Sequence, residues 1–514
     1  MNFALSSRIK ALTWGGVGLV ALYLSVRYGL KGLGDSTKLR HVLPLVLLFL
    51  FLVSSKKTYR FFVLPLSLLV MLYAPFGRVY GRIDYQALSS LLATDLSESI
   101  EFLSLIPTKA FLKSLYVPLF AYISYLCAQK SGLKPWRNKT LVLISLAAMV
   151  VIIKPTQFID SFSRAAQLTK EEKAVLQGTP SSWGEIHYTG KPKDYVLVIG
   201  ESARRDYFHL YGYPVKNTPF FDSVPGLTAV DGLSSGGVYT IGSLTNMLTS
   251  AVNKWQPSYD RTVTDLAKAG GIETYWISNQ GYVGKYDTPV SSIGARADHV
   301  HFLNMRSYDS VDLSDFLLLK PFTDALTSPN KTNRPRLFIL HTMGSHPDAC
   351  KRIIAMPDAY KTDERRYKYL ACYASSIKKA DQFTEKVYHA LLKHSEKSGR
   401  AFSIIFFSDH GMVHRDIDGK IILNNNTASK FHYDIPLMMI DSEAEGRRFF
   451  KTKKSGLRFT DGIGRWLNLE GKTLEPYDLF DNKNDEEDFG LADKIKAIKI
   501  PADPAVDISE FISP

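Results

Sequence analysis

The fold of the second half of the chain follows from the stretch Tyr195-Val196-Leu197-Val198-Ile199-Gly200-Glu201-Ser202. Its five leading hydrophobic and aromatic residues predict a strand buried on both faces, as in a parallel sheet covered by helices. Four further runs of this kind alternate with helical stretches: Thr274–Ser278, Leu337–His341, Phe402–Phe407 and Ile435–Ile440. The pattern predicts a soluble α/β domain.

Polar clusters follow three of these strands. They are Gly200-Glu201-Ser202, His341-Thr342-Met343-Gly344-Ser345-His346 and Ser408-Asp409-His410-Gly411. In open α/β sheets, ligands bind outside the carboxyl ends of the strands. A glutamate, an Asp-His pair and further histidines at separate strand ends indicate a mixed oxygen and nitrogen site for Zn²⁺ or Mn²⁺. Each cluster alone would also fit a helix cap or a turn, so the prediction depends on their joint occurrence.

The net charge of the 514-residue chain, +13, lies in its N-terminal part. Residues 1–154 hold 18 Lys and Arg against 5 Asp and Glu, an excess equal to the net charge of the whole chain. Because this is also the most apolar third, the basic balance indicates membrane topology and argues against nucleic-acid binding. With 45% hydrophobic residues and three cysteines, a disordered tail protein and a small disulfide-stapled domain are both excluded.

Five charge-free apolar stretches in this region predict five short membrane spans flanked by Lys and Arg. They are Ala11–Val26, His41–Ser55, Phe61–Gly77, Ser114–Gln129 and Thr140–Ile153. Core helices are the alternative, and for the first stretch also a cleaved signal peptide. The sequence thus divides into a transmembrane domain at 1–154, an amphipathic connector at 155–190 and a catalytic domain at 191–514.

Several motifs of the soluble domain resemble those of the bacterial phosphoethanolamine transferases, inner-membrane enzymes of the alkaline phosphatase/sulfatase superfamily. The first motif is Val198-Ile199-Gly200-Glu201-Ser202-Ala203-Arg204, followed by Leu210-Tyr211-Gly212-Tyr213 and Asn217-Thr218-Pro219. The others are Gly344-Ser345-His346 and Asp409-His410-Gly411. The resemblance implies an α-helical transmembrane domain followed by a sulfatase-like α/β domain in the periplasm.

The resemblance also implies a metal bound by Glu201, Asp409, His410 and a threonine that acts as the nucleophile. Thr240, in the Gly-rich run Ser235–Ile241, occupies the place of that threonine. A hydroxyl bound to a divalent cation loses its proton more readily, and a helix N-terminus after glycines suits a phosphate. A simple N-cap role for Thr240 is the alternative.

Other residues resemble substrate-binding positions of the family. His346 and His432 match two histidines that contact the phosphate or protonate the leaving group, although Asp434 stands near the place expected for the second one. For His432, a solvated surface histidine is the alternative. Three polar residues of the membrane part recur at four-residue spacing, like a family Asn, Thr and Glu that contact the donor headgroup; an ordinary polar helix face is the alternative. They are Ser90, Thr94 and Glu98.

The reaction implied by the resemblance is a transfer in two steps. Thr240 attacks the phosphorus of phosphatidylethanolamine and releases diacylglycerol, and an acceptor hydroxyl then takes the phosphoethanolamine group from Thr240. The acceptor is an envelope glycolipid or glycan: lipopolysaccharide core, O-antigen, lipid A or a periplasmic glucan. We expect Zn²⁺ as the metal, with Mn²⁺ as the alternative, and a monomer in the bacterial inner membrane whose partners are membrane lipids and not nucleic acids.

Two features qualify this interpretation. Met412-Val413-His414-Arg415 stands where many lipid A-modifying members continue with Glu-Ser-Leu-Gly-Glu, which argues against lipid A as the acceptor. Cys350 and Cys372 would form a bridge suited to an oxidising periplasm, with a free buried pair as the alternative. Two other functions stay open at this stage: a glycerol-phosphate transferase like the lipoteichoic acid synthases, and a catalytically silent membrane protein that binds envelope glycans.

The distribution of Lys and Arg predicts a cytoplasmic N-terminus and an external soluble domain. The densest basic cluster among the loops, at residues 130–139, then lies inside. A periplasm-active reporter fused after Pro514 should be active, and the same reporter fused within 130–139 should be silent. Activity of only a cytoplasm-active reporter after Pro514 would contradict both the topology and the proposed chemistry.

Overall fold

The computed structural model describes residues 2–81, 103, 106–132, 140, 143, 179–250, 255–280, 289–303, 314–328, 333–425 and 428–513. The described residues separate into two compact units, a helical one before residue 170 and an α/β one after it. Residues 155–178 of the predicted connector lie outside the described residues. Its last part, residues 179–190, includes a short strand of the α/β unit at Ile186–Tyr188.

The described residues of the helical unit form long and short helices. They are α1 (Asn2–Gly32), α2 (Leu39–Val53), α3 (Leu64–Tyr80), α4 (Thr108–Ser114) and α5 (Tyr116–Ser131), and a single helical turn at Lys56–Thr58 and a π-helical turn at Tyr59–Val63 lead into α3. Within the part of the chain that the structure describes, three helical segments are long and apolar enough to cross a membrane: Ile9–Gly32, Lys56–Val79 and Thr108–Ser131. They contain the first, third and fourth predicted stretches, and the second forms the shorter α2. The fifth stretch, Thr140–Ile153, lies outside the described residues except for Thr140 and Leu143.

Small residues let α1 pack closely against its neighbours. A Cβ atom on Gly18 would lie 2.9 Å from the Cβ of Cys127 in α5, and one on Gly32 would lie 2.5 Å from the Cβ of Ala74 in α3. Such close approach is typical of helix pairs in membranes, where van der Waals packing replaces the hydrophobic effect as the driving force. The unit therefore has the packing chemistry of membrane helices.

The described residues of the α/β unit form a nine-stranded mixed sheet. Its strands are β2 (Asp194–Gly200), β3 (Leu227–Ser234), β4 (Glu273–Ser278), β5 (His299–Phe302), β6 (Arg336–His341), β7 (Phe402–Ser408), β10 (Asp434–Asp441), β11 (Arg448–Phe450) and β12 (Lys454–Ser455). Their order in the sheet is β11-β3-β10-β7-β2-β6-β4-β5, with β12 also paired to β3. Two smaller sheets pair β1 (Ile186–Tyr188) with β13 (Leu469–Gly471) and β8 (Val413–Ile417) with β9 (Lys420–Asn424).

All five strands predicted from the sequence are present. Strands β2, β4, β6 and β7 are parallel to one another, but β10 runs antiparallel to β7, so its carboxyl end lies at the opposite edge of the sheet. Every residue of β2 is buried, as its continuous apolar run predicts.

Helices cover the sheet and connect its strands. They are α6 (Pro219–Ser223), α7 (Thr240–Met247), α8 (Val263–Ala269), α9 (Pro289–Ala295), α10 (Leu319–Thr327), α11 (Lys368–Ser398), α12 (Phe459–Trp466) and α13 (Leu491–Lys496). The 31-residue α11 carries Cys372, which forms a disulfide with Cys350. The bridge closes a loop of 22 residues, and a cross-link of that span stabilises a fold by about 3 kcal/mol.

Candidate metal centre

The register of the central strands sets Glu201 beside Asp409. Strands β2 and β7 are parallel, with Gly200 opposite Ser408, so the residue after each strand emerges at the same edge of the sheet. The two carboxylates and the imidazole of His410 each offer one ligand atom, and these atoms all lie within 4.8 Å of one another. All three side chains are buried, and the arrangement is a site in which three protein ligands can hold one divalent cation.

Glu201 accepts hydrogen bonds from three side chains. The Thr240 hydroxyl donates to Oε2 over 3.0 Å, the Gln280 amide donates to the same oxygen over 3.1 Å, and the Ser202 hydroxyl donates to Oε1 over 2.6 Å. These three donors fix the orientation of the carboxylate, and every one of them is uncharged. No lysine or arginine of the described residues pairs with Glu201.

Asp409 and His410 are oriented mainly by the backbone. Asp409 Oδ1 accepts hydrogen bonds from the amides of Ser202 and His410, over 2.9 and 2.7 Å. Its other oxygen, Oδ2, is buried, accepts no hydrogen bond from the described residues and lies 3.4 Å from His410 Nε2. His410 Nδ1 donates to the Gly411 carbonyl over 2.7 Å, which leaves the Nε2 lone pair for a ligand.

The pKa values of this cluster are shifted because its side chains are buried without a cationic side chain beside them. Burial raises the pKa of Glu201 to about 7, with a further contribution from the charge of Asp409, and burial raises the pKa of Asp409 to about 6. Burial also lowers the pKa of His410, so its imidazole is neutral at pH 7. Two buried carboxylates, one unsatisfied oxygen and a neutral imidazole are a donor set that fits a divalent cation.

Thr240 is the first residue of α7 and faces this cluster. Its hydroxyl oxygen lies 3.0 Å from Glu201 Oε2 and 3.3 Å from His410 Nε2. The N-cap of α7 is Tyr239, so the alternative that Thr240 is merely an N-cap is wrong. A Cβ on Gly237 would lie 2.8 Å from the Ser243 amide, which shows why glycine is required where the loop approaches the helix.

The other hydroxyls of α7 point elsewhere. Ser243 donates to the Asp409 carbonyl over 2.6 Å, and Thr245 donates to the Ile241 carbonyl over 2.7 Å. Neither side chain forms a hydrogen bond to Glu201 or His410 among the described residues. Thr240 is therefore the hydroxyl of this helix that lies at the carboxylate cluster.

His432 is fully buried, so the alternative of a solvated surface histidine is wrong. Its Nδ1 accepts a hydrogen bond from the Ser429 amide over 3.0 Å, which places the proton of the neutral ring on Nε2. That Nε2 group is buried and has no hydrogen-bond partner among the described residues. Burial lowers the pKa of His432 well below its usual range, so this ring too is neutral at pH 7. Asp434, which stands near the place expected for this histidine, forms an ion pair with Arg205, whose Nε lies 2.6 Å from Asp434 Oδ1.

His346 is positioned by the loop after β6. Its Nδ1 lies 2.8 Å from the Pro347 carbonyl, and burial lowers its pKa to about 4, against an opposing contribution from Glu201. Gly344 has a φ of +47°, and a Cβ there would lie 2.7 Å from the Glu201 amide. Glycine thus lets this loop lie directly on the backbone of Glu201.

Gln280 was not among the residues predicted from the sequence. It follows β4, whose carboxyl end lies at the same edge of the sheet as those of β2 and β6. Applying the strand-end rule to Ser278-Asn279-Gln280 would have identified it. Three other predicted residues, Ser90, Thr94 and Glu98, lie outside the described residues.

Comparisons with known proteins agree with this geometry. The model of the sulfatase family matches residues 193–466, so the α/β unit is a sulfatase domain. The chain is 41% identical over 367 residues to a Haemophilus influenzae protein named as an inferred phosphoethanolamine transferase, across 70% of this chain and 75% of that one. It is 28% identical over 433 residues to phosphoethanolamine transferase OpgE of Escherichia coli K12, across 79% of this chain and 80% of OpgE. The chain belongs to the phosphoethanolamine transferase family, as its motifs predict.

A solved structure extends the likeness of fold to nearly the whole chain. The integral membrane protein lipooligosaccharide phosphoethanolamine transferase A (EptA) of Neisseria meningitidis superimposes with a TM-score of 0.57 and 17% sequence identity, over 89% of this chain and 96% of that one. The predicted fold class, apolar N-terminal helices followed by a sulfatase-like α/β domain, is confirmed. Family membership also favours a phosphoethanolamine transferase over the glycerol-phosphate transferase and the silent glycan-binding protein.

Gln280 gives a direct test of how Glu201 is held. Replacing Gln280 with Ala removes one hydrogen bond to Glu201 Oε2, and we expect the affinity for Zn²⁺ to fall by about 10- to 100-fold, as for other residues that orient a metal ligand. The dissociation constant would be measured on the full chain by competition with a chromophoric chelator. The matched control is Gln382→Ala, because Gln382 donates to Asp358 over 2.7 Å and does not contact the cluster. Equal affinities in both variants would contradict a positioning role for Gln280.

The raised pKa values of the two carboxylates predict how the effect of metal depends on pH. In the metal-free protein the folded state binds protons more tightly than the unfolded chain, so these groups lower the free energy of unfolding as pH rises from about 4 to about 7. Metal binding requires both carboxylates deprotonated, so its stabilisation grows across the same window. The gain in Tm on adding Zn²⁺ to chelator-treated full chain should be larger at pH 8 than at pH 5. A gain independent of pH would contradict these ligands.

Proposed function

We propose that the chain transfers phosphoethanolamine from phosphatidylethanolamine to a sugar of the bacterial envelope, through a covalent intermediate on Thr240. The observation that carries the proposal is the position of the Thr240 hydroxyl, 3.0 Å from Glu201 and 3.3 Å from His410 in a buried cluster that fits a cation. A hydroxyl held by a metal ligand set at the start of a helix is placed for nucleophilic attack on a phosphate.

We infer that Glu201, Asp409, His410 and Thr240 hold one Zn²⁺. The unsatisfied Oδ2 of Asp409 and the free lone pair of His410 Nε2 support this assignment, because both need a positive partner. Mixed carboxylate and imidazole ligands suit zinc, and they would also accept Mn²⁺. When bound, the metal supplies Lewis-acid stabilisation of the phosphoryl charge and lowers the pKa of the Thr240 hydroxyl.

In the first step, Thr240 Oγ1 forms a bond to the phosphorus of phosphatidylethanolamine. The bond between that phosphorus and the glycerol oxygen breaks, and diacylglycerol leaves with the proton that Thr240 gave up. His432 supports this step because its buried Nε2 carries a proton and is free to donate to a phosphoryl oxygen. We assign His346, on the loop that lies against Glu201, to the same phosphate or to the leaving oxygen.

In the second step, a hydroxyl of the acceptor attacks the phosphorus of the phosphothreonine-type intermediate. A new phosphodiester forms, the bond to Thr240 Oγ1 breaks, and the acceptor proton returns to Thr240. Charge on the phosphoryl oxygens must be stabilised in both steps, so the residues that stabilise it in the first step also do so in the second. We assign Ser90, Thr94 and Glu98 to the donor headgroup on the motif resemblance alone.

The acceptor class is an envelope glycolipid or glycan: lipopolysaccharide core, O-antigen, lipid A or a periplasmic glucan. The sequence after Gly411 differs from that of many lipid A-modifying members, and it forms the hairpin of β8 and β9. His414 of this hairpin lies 2.5 Å from the Tyr207 hydroxyl, so the hairpin is tied to the motif that follows Glu201. This departure favours a sugar other than lipid A.

We place the enzyme in the bacterial inner membrane with its α/β unit in the periplasm, and we divide it at residues 1–154, 155–190 and 191–514. The apolar helices and the positive charge of the first part support a multi-pass anchor. The disulfide between Cys350 and Cys372 supports an oxidising compartment for the second part. We expect the enzyme to act as a monomer.

A mass measurement distinguishes the nucleophile from a mere metal ligand. Wild-type full chain given phosphatidylethanolamine without acceptor should gain one phosphoethanolamine mass on the peptide that contains Thr240, and Thr240→Ala should gain none. Transfer by Thr240→Ala should fall by about a thousandfold or more. Thr240→Ser keeps the hydroxyl and should retain slight activity.

The matched control is Thr245→Ala, one turn further along α7. Its hydroxyl is bonded to the Ile241 carbonyl, so this variant should still form the adduct on Thr240. Thr240→Ala should also retain part of its zinc, because Glu201, Asp409 and His410 remain. An adduct on another residue in Thr240→Ala, with diacylglycerol still released, would show that Thr240 is not the nucleophile.

A further inference from the structure

None of the proposed reaction steps uses Arg204, the last residue of the motif that begins at Val198. Its side chain is fully buried. Burying a charge is costly unless it is paired and hydrogen-bonded, and two aspartates supply both. Asp206 accepts hydrogen bonds from Nε and Nη2 over 2.9 and 2.7 Å. Asp503 Oδ2 accepts one from Nη1 over 3.2 Å, and the Asp503 carbonyl accepts one from Nη2 over 2.7 Å. The guanidinium group is thus held in one orientation.

The side chain of Arg204 lies against the loop that carries His410. A Cβ on Gly411 would lie 2.9 Å from Arg204 Cγ, so glycine allows this close approach. Arg204 Nη1 also donates to the Met412 carbonyl over 3.2 Å. The carbonyl of Gly411 is the group that accepts the hydrogen bond from His410 Nδ1. Arg204 therefore fixes the stretch of main chain that orients His410.

The guanidinium group of Arg204 also contacts the turn that carries His432. Its Cζ lies 4.2 Å from the centre of the Phe431 ring, which is a cation–π contact. Phe431 directly precedes His432 in the helical turn Lys430–His432. The Gly411 amide donates to the His432 carbonyl over 2.7 Å, so the two histidine segments are also bonded to each other. One buried side chain thus contacts both segments.

Asp503 reaches Arg204 from a segment 299 residues further along the chain. This segment is attached to the same part of the domain by several hydrogen bonds. Asp503 Oδ2 accepts a second one from the His414 amide over 2.8 Å. Three residues later, the Val506 carbonyl accepts one from the Tyr213 hydroxyl over 3.0 Å. The carboxylate of Asp503 is therefore held in place beside Arg204.

A second buried arginine offers a comparison. The side chain of Arg336 is 2% exposed, and its Nε and Nη2 donate to the two oxygens of Asp194, each over 2.8 Å. Asp194 begins β2 and Arg336 begins β6, so this pair lies at the edge of the sheet opposite the candidate metal centre. It stabilises the fold at a distance from His410 and His432.

We propose that Arg204 is a positioning residue for both His410 and His432, and that Asp503 keeps Arg204 in the place from which it holds them. The inference rests on the proposed function for every effect on transfer. It deepens that function, because it makes the geometry of the two histidines depend on a carboxylate distant in sequence. Arg204 acts through the main chain at Gly411 and through the ring of Phe431.

The first measurement is amide hydrogen exchange of the metal-free full chain, followed by mass spectrometry. Asp503→Ala should speed exchange by about fivefold or more in peptides 409–415 and 429–433, because both segments lose a fixed neighbour. Exchange in β2 should stay as in the wild type. Wild-type exchange at 409–415 in this variant would overturn the proposal. Faster exchange throughout the sheet would show a purely structural role and would overturn it too.

The matched control is Asp507→Ala. Asp507 is an exposed acid of the same segment, and its Oδ1 accepts a hydrogen bond from the Ser509 amide over 2.9 Å. This variant should exchange like the wild type in both peptides. Asp503→Asn guards against a folding defect, because it keeps the shape and one oxygen acceptor. It loses the charge-assisted bond to Arg204 and should show the same pattern as Asp503→Ala with a smaller factor, about threefold.

The second measurement is the kinetics of transfer. Asp503→Ala should lower kcat and kcat/KM by the same factor, about tenfold or more, because displaced histidines weaken interactions made in the transition state. Its affinity for Zn²⁺ should fall by about tenfold, since His410 is one of the proposed ligands. Asp507→Ala should keep both values. A rise in KM with unchanged kcat would contradict a positioning role.

The two buried arginines provide a further matched pair. Arg204→Lys and Arg336→Lys both keep the charge and lose the planar fork of donors. Both variants should have a lower Tm than the wild type. Arg204→Lys alone should lower kcat and the affinity for Zn²⁺. Equal kcat in the two variants would show that Arg204 only stabilises the fold, which would overturn the proposal.

These measurements separate the proposal from the proposed function, because hydrogen exchange needs neither substrate nor metal. If the wild type transfers phosphoethanolamine but Asp503→Ala matches Asp507→Ala in exchange and kcat, the proposal fails and the function stands. If the wild type transfers nothing but exchange at 409–415 and 429–433 rises in Asp503→Ala alone, the proposed function fails and the positioning of the two histidines stands.

Discussion

A buried carboxylate needs a positive partner. A buried carboxylate stands at each end of strand β2, and the fold supplies positive partners to only one of the two. At its start, Asp194 is buried but accepts hydrogen bonds from Arg336 and Arg400 over 2.8 to 3.2 Å. Burial raises its pKa, yet the two guanidinium groups outweigh burial and the pKa is lowered. After its end, Glu201 is equally buried, has only uncharged donors and has a raised pKa. The first carboxylate is neutralised within the fold, and the second, with Asp409 beside it, has no cationic side chain of the described residues paired with it. The candidate metal centre follows from this difference.

The parts of the site are held in place by one helix as much as by the sheet. Lys379 of α11 lies 2.8 Å from the buried Asp315, which in turn accepts hydrogen bonds from the amides of Met343 and Gly344. The disulfide of Cys372, on the same helix, anchors the segment a few residues beyond His346. The loop that carries His346 is thus fixed from both sides by α11. Its position against Glu201 depends on side chains more than 20 residues away in sequence.

The sequence predicts the strands well because their signal is local. A continuous apolar run such as Tyr195–Ile199 can be buried on both faces in few ways, and a polar residue directly after it must emerge at the sheet edge. The direction of a strand is not a local property: Ile435–Ile440 resembles the parallel strands in composition, but β10 pairs antiparallel with β7. Glu201, Asp409 and His410 could be predicted because each follows such a run within motifs that resemble the family's. Gln280 also follows a strand but belongs to no motif of the family, and its contact with the site is a hydrogen bond to Glu201 that only the assembled sheet creates.

Backbone groups that no motif specifies decide which ring nitrogen carries the proton in His410 and in His432. His410 directs Nδ1 to the carbonyl of Gly411, so its Nε2 presents a lone pair. His432 accepts the amide hydrogen of Ser429 at Nδ1, so its Nε2 presents a proton. Both rings are buried and neutral at pH 7, because burial lowers both pKa values. Exchanging the two backbone partners would leave the sequence motifs unchanged and yet put a proton on Nε2 of His410 and a lone pair on Nε2 of His432. The main chain of two short turns therefore decides which of these histidines presents a lone pair at Nε2 and which presents a proton.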